Sequence, residues 1–102
     1  MLDAVQATGQ PAALCTIYDL RYPDPQRRRL TGAALALIND VITREVFARG
    51  LPLIDLRVLF GKDADFANPI EPSLQGGWKI AEVVAALIQS DTKHRGSLVF
   101  AR

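Results

Sequence analysis

A chain of 102 residues, 49% hydrophobic and 23% charged, has room for one domain at most, and a formal net charge of +1 gives it no bulk attraction to nucleic acid or to an acidic membrane. One cysteine, Cys15, excludes an internal disulfide and a multi-cysteine zinc site, and a single histidine, His94, leaves no imidazole cluster, so neither metal nor cofactor is expected. No run reaches the ~20 apolar residues of a membrane span and Met1–Gln10 has no basic leader region, so residues 1–102 are expected to form a single soluble, cytoplasmic domain.

Leu2 and Val5 give a short helical face, stopped by Gly9 and by Pro11 beyond it. Ala12–Tyr18 is a near-continuous apolar run rich in β-favouring residues, which suits a parallel strand covered on both faces. Cys15, inside that run, reads as a buried inert thiol. Arg21–Pro25 is a turn-rich loop, and Gln26–Arg29, with three consecutive arginines, reads as a solvated loop and helix start; the run is too short, and too poor in aromatics, to favour phosphate binding.

Leu30–Arg49 is the strongest helical segment, with Leu35, Ile38, Ile42 and Val46 recurring at spacings of three and four, and Gly50 as its stop. Asn39 and Asp40 interrupt that pattern and read as helix surface. Leu51–Leu56 is the second strand, with Pro52 near its start, where no ladder N–H is needed. Asp55 and Arg57 fall at its C-terminal end, the edge that carries ligands in open parallel sheets; Asp55 is open between that role and a local cap. Val58–Ala67 reads as a loop, and its Asp63-x-Asp65 lacks the remaining ligands of a calcium loop.

In Asn68–Ser73, Pro69 and Pro72 fix their own φ and push Asn68 and Glu71 toward extended geometry. Ser73 stands where a helix N-cap belongs. Leu74–Ser90 is then a helix with Ile80, Val83, Val84, Leu87 and Ile88 on an apolar stripe. Gly76-Gly77 in its first turn implies close approach of another segment, and Trp78 is expected to cover the edge of the core. Asp91–Gly96 is a polar exit, and Ser97–Phe100 has the makings of a short edge strand.

Asn68-Pro69-Ile70-Glu71-Pro72-Ser73, followed by Gly76-Gly77 and the helix through Ile80-Ala81, resembles the last conserved block of the SGNH/GDSL hydrolases, a family of esterases, lipases and acylhydrolases, where Asp-x-x-His-Pro-Ser precedes a Gly and a helix. The family's Asp position holds Asn68 and its His position holds Glu71. Pro11–Ile88, roughly three quarters of the chain, resembles the C-terminal half of a bacterial branch of that family, in which Ile-Asp-Leu-Arg (here Ile54–Arg57) is followed by Asn-Pro-Ile-Glu-Pro-Ser. The resemblance implies an α/β fold, part of a doubly wound, flavodoxin-like parallel sheet in the order α-β-α-β-α. It implies a small ester as substrate once the N-terminal half is supplied, with Glu71 as base and Asn68 as its orienting group; read from the residues alone, the pair is open between that role and structural loop groups bonding backbone N–H at the helix start. The family's Gly-Asp-Ser nucleophile block and its oxyanion blocks are not in this sequence.

Two strands with both faces apolar need neighbours, since a two-stranded sheet is marginal alone. The sequence thus reads as a chain whose missing strands come from elsewhere, either from the rest of a hydrolase domain or from partners joined at the strand edges. The second case describes a non-catalytic α/β module that homo-oligomerises. Among other residues that bear chemistry, Ser73 is better explained as a cap than as a nucleophile, and His94, between Lys93 and Arg95, as a solvated tail residue.

Overall fold

The structure, a computed structural model, describes residues 1–89 and 98–101. His94 and Ser97 lie outside the described residues.

Among the described residues, five helical segments and three short strands follow in the order α1 (Leu2–Ala7), β1 (Leu14–Cys15), α2 (Pro25–Arg49), β2 (Leu53–Ile54), α3 (Leu56–Leu59), a 3-10 turn (Asp63–Asp65), α4 (Leu74–Gln89) and β3 (Val99–Phe100). The sheet is parallel, in the order β1-β2-β3, with Leu14 opposite Leu53 and Cys15 opposite Ile54, then Leu53 opposite Val99 and Ile54 opposite Phe100. The expected α/β class is therefore present, and Val99–Phe100 does pair as an edge strand. The regular strands are shorter than the apolar runs suggest: the ladder ends where Thr16 N–H donates to Ile54 C=O and Asp55 N–H to Phe100 C=O, and there the Thr16 and Asp55 side chains tie the two strand ends together.

Residues opposite one another share a face. Leu14, Leu53 and Val99 lie on one side of the sheet; Cys15, Ile54 and Phe100 lie on the other. On the second side Ile54 joins Leu56, Leu59, Phe60 and Val83 in the main core cluster, with Tyr18, Phe66 and Phe100 packed against it. That cover stops short of β1, so Cys15 is exposed, correcting its reading as a buried thiol. Partial burial still raises its pKa, so the sulfur stays a weakly reactive thiol.

Helix α2 begins five residues before its expected start. Asp24 is its N-cap, accepting from Gln26 N–H, and Pro25 opens the first turn. The three arginines consequently belong to the helix, and Arg27 stacks over the Tyr22 ring at 4.2 Å. At the far end Gly50 adopts φ 65°, the left-handed geometry that closes a helix. Arg49, in the last turn, holds α1 through Asp3 at 2.7 Å and Gln6 at 2.6 Å.

Asn39 is not on the helix surface. It is 1% exposed, and its amide accepts from Ile17 N–H and donates to Ile17 C=O, both at 2.8 Å. Its neighbour Asp40 is exposed, as expected, and pairs with Arg44 one turn on. Trp78 also departs from expectation: it points outward at 63% exposure and covers no core. The segment read as a loop from Val58 contains the end of α3 and the 3-10 turn.

Candidate functional site

The C-terminal ends of β1 and β2 lead into the segments that build the candidate site. After β1 the chain runs through Thr16, Ile17 and Tyr18; after β2 it passes through Asp55 into α3. Asp55 resolves as a cap. Its carboxylate accepts from Arg57 N–H and forms a two-point ion pair with the Arg57 guanidinium at 2.8 and 2.9 Å. Thr16 Oγ1 donates to Asp55 at 2.9 Å and accepts from Leu56 N–H, so one hydroxyl joins the ends of both strands. The Arg57 bonds, with help from Thr16, hold the Asp55 carboxyl below the usual carboxylate range despite its burial.

Asn68 and Glu71 are brought together. Asn68 Oδ1 accepts from the backbone N–H of Ile70 and of Glu71, both at 2.9 Å, which makes the loop a side-chain-closed turn. Asn68 Nδ2 donates to Glu71 Oε2 at 3.1 Å, the bond an orienting residue would make to a carboxylate base. Both side chains are exposed. The loop is pinned from three directions: Ala67 N–H donates to Glu71 C=O, Arg21 N–H to Pro69 C=O, and the Tyr18 hydroxyl to Ile70 C=O at 2.7 Å. Burial, and after it the negative charge of Glu71, raises the pKa of Tyr18, which places the phenol within the field of that carboxylate.

Beneath the loop the rings of Tyr18, Phe60 and Phe66 form a triangle with centroids 4.8 to 5.5 Å apart. The Arg21 guanidinium lies over Phe66 at 5.2 Å and donates to Phe60 C=O. A cation on an aromatic face at that distance contributes about 0.5–1 kcal/mol when part-exposed.

Asp65 is the anchor of this region, and nothing in the sequence pattern singled it out beyond its unfavoured calcium spacing. It is fully buried. Its carboxylate pairs with Lys79 Nζ at 2.8 Å and also accepts from Gln75 Nε2 and Lys62 N–H. Burial pushes the Asp65 carboxyl up, but Lys79, the Lys62 N–H and Gln75 outweigh it and hold the group below its ordinary value. With Lys79 as its partner, Asp65 is engaged as an ion pair rather than as a calcium ligand. Among the described residues no cluster of three His, Cys, Asp or Glu side chains is placed to hold a metal.

Ser73 is the N-cap expected of it. Its Oγ accepts from Gly76 N–H at 3.2 Å and donates to Ala64 C=O at 2.5 Å, while its N–H donates to Asp65 C=O. A hydroxyl with both its proton and a lone pair engaged in this way is not poised as a nucleophile. Gly76 is required: a Cβ there would collide with the Asp65 carbonyl oxygen and press on the Phe60 ring at 3.2 Å. Gly77 meets no such limit.

Searches against protein-family models, curated proteins and solved structures find no match to this chain. No helix among the described residues is long and apolar enough to cross a membrane.

Proposed function

We propose that this chain forms the C-terminal, carboxylate-bearing portion of an SGNH/GDSL-type ester hydrolase of doubly wound, flavodoxin-like order. In this reading Glu71 is the proton acceptor, Asn68 orients it, and the nucleophile and oxyanion donors come from residues outside this sequence. The observation that carries the reading is the Asn68–Glu71 bond on a pinned loop reached from the C-terminal strand ends. The occupied Ser73 hydroxyl supports the corollary that the chain alone has no serine-hydrolase activity. The substrate class is a small ester, which needs no metal or cofactor.

Two assays test this. The 102-residue chain should hydrolyse an activated acyl ester no faster than its Ser73→Ala variant; a Ser73-dependent rate would overturn the assignment. The protein purified from its native source should carry an ester-hydrolase activity that Glu71→Gln lowers by about 10²–10⁴-fold, the usual contribution of a positioned base. An unchanged kcat in that variant would remove Glu71 from the chemistry.

A second reading, a non-catalytic α/β module that assembles through its strand edges, is favoured by one observation. Among the described residues β1 and β3 each have a strand neighbour on one side only. It predicts a concentration-dependent oligomer with no esterase activity in the native isolate.

A further inference from the structure

The connection that carries Asn68 and Glu71 lies on the surface, yet its backbone is bonded throughout. Pro69 C=O accepts from Arg21 N–H at 2.9 Å, Ile70 C=O from the Tyr18 hydroxyl at 2.7 Å, and Glu71 C=O from Ala67 N–H at 2.9 Å. The N–H groups of Ile70 and Glu71 both donate to Asn68 Oδ1. Proline has no N–H to place, so each backbone donor and acceptor from Pro69 to Glu71 has a partner.

These bonds differ in what they are anchored to. Those from Asn68 and Ala67 join residues of the connection to one another and would travel with it if it moved. Those from Arg21 and Tyr18 tie it to the segment that follows β1. Arg21 takes hold one peptide early. Tyr18 holds the peptide between Ile70 and Glu71, which sets the direction in which the Glu71 side chain leaves the backbone. That peptide is gripped at both ends, by Tyr18 on its carbonyl and by Asn68 on its N–H.

Tyr18 is itself fixed. Just before it, the N–H and C=O of Ile17 are both held by Asn39, and the Thr16 hydroxyl is held by Asp55. The Tyr18 ring stacks on Phe60 at 4.8 Å and meets Phe66 edge-on at 5.4 Å. With backbone and ring both set, the hydroxyl is aimed at one place, and Ile70 C=O is there.

We propose that Tyr18 is the positioning residue of Glu71: its hydroxyl refers the Ile70–Glu71 peptide to the aromatic core and so fixes where the carboxylate stands. The catalytic consequence rests on the reading of Glu71 as a base; the positioning itself does not. A misplacement of about 1 Å can cost a reaction about 10²-fold, and a single hydrogen bond is worth up to about tenfold, so the second figure sets the expected effect.

The test has a kinetic and a structural arm, both built on Tyr18→Phe, which keeps the ring and removes the hydroxyl alone. In the native isolate this variant should lower kcat for an activated acyl ester about tenfold, with KM changed less than twofold. Placed on Glu71→Gln it should cost nothing further, because no base is left to position. An unchanged kcat, or an equal loss in both backgrounds, would overturn the proposal. If Glu71→Gln itself leaves kcat unchanged, the reading of Glu71 as a base fails, and the structural arm decides the positioning. In the 102-residue chain the Ile70 and Glu71 amide protons, followed by NMR, should exchange up to about tenfold faster in Tyr18→Phe while those of α4 keep their rates. Unchanged loop rates, or a uniform acceleration along the chain, would overturn the proposal. Should Tyr18→Phe lose its helical circular dichroism, the Tyr18 ring resonances decide. Burial and then the Glu71 charge raise the phenol's pKa, so the ring should titrate at lower pH in Glu71→Gln than in the wild type; coincident curves would place the hydroxyl out of reach of that loop and overturn the assignment.

Discussion

Asp65 and Glu71 are two carboxylates six residues apart in the same connection, and they live in opposite surroundings. Asp65 is fully buried and held by Lys79, Gln75 and a backbone N–H. Glu71 is exposed and held by a single amide. The contrast separates scaffolding from availability. A buried charge with every acceptor site filled fixes the path of the chain, and that fixed path lets an exposed charge nearby keep one orientation without being consumed by it.

The largest way to break the contrast is Asp65→Ala, which leaves the Lys79 ammonium without its partner and the loop without its anchor. A fully buried pair broken this way costs about 3–5 kcal/mol; Lys79 keeps some contact with water, so about 2–3 kcal/mol is expected in urea unfolding. A loss below about 0.5 kcal/mol would mean that Asp65 does not anchor the loop.

Gly76→Ala is next. Alanine favours a helix over glycine by about 1 kcal/mol, yet here its methyl group meets the Asp65 carbonyl, and overpacking of that kind costs about 1–3 kcal/mol. A net destabilisation is expected, with Gly77→Ala neutral or stabilising; equal effects at the two positions would refute the close approach.

The pH dependence follows from Asp65 as well. Its folded pKa is lowered, so the folded state binds fewer protons than the unfolded one at acid pH. The stabilisation is complete above the unfolded value of about 3.9 and is lost as pH falls below it. The stability of Asp65→Asn should therefore fall less steeply than that of the wild type below about pH 4; parallel curves would assign the acid loss to other carboxylates.

The smallest effect is expected at the exposed end. Glu71→Gln should change stability by no more than about 0.5 kcal/mol, because an amide in its place still accepts from Asn68. Asn68→Ala should cost about 1 kcal/mol, since it removes the acceptor for two loop N–H groups. A Glu71→Gln loss as large as that of Asp65→Ala would erase the contrast and make Glu71 structural.

Local signals carried much of this fold. The periodic helices, the Gly50 stop and the Ser73 cap rest on neighbours in sequence and are present, whereas of the two apolar strand runs only Leu14–Cys15 and Leu53–Ile54 are strand. The contact between Asn68 and Glu71 was legible for the same reason, the two being three residues apart and each followed by a proline. What stayed hidden depends on partners far along the chain. Asn39 looks like a polar break on a helix until its amide is seen at Ile17, 22 residues away. Lys79 looks like a solvated cation until it meets Asp65, and Tyr18 like a strand residue until its hydroxyl reaches Ile70. Asp24-Pro25 was a readable cap and first turn, obscured by the prolines around it. Cys15 and Trp78 were misjudged because composition says which residues can be buried, not where cover runs out.

The Asn39 amide has a consequence for how this sheet can grow. At Ile17 the backbone N–H and C=O turn away from β2, the direction from which a further strand would dock. The side chain of Asn39 supplies one donor and one acceptor in the same spacing as a peptide group. It acts as a one-residue counterfeit strand, closing the template at that rung. Any additional strand beside β1 can bond only on the N-terminal side of Ile17, so its register is dictated before it arrives, and strand addition running the full length of that edge is blocked by a single amide.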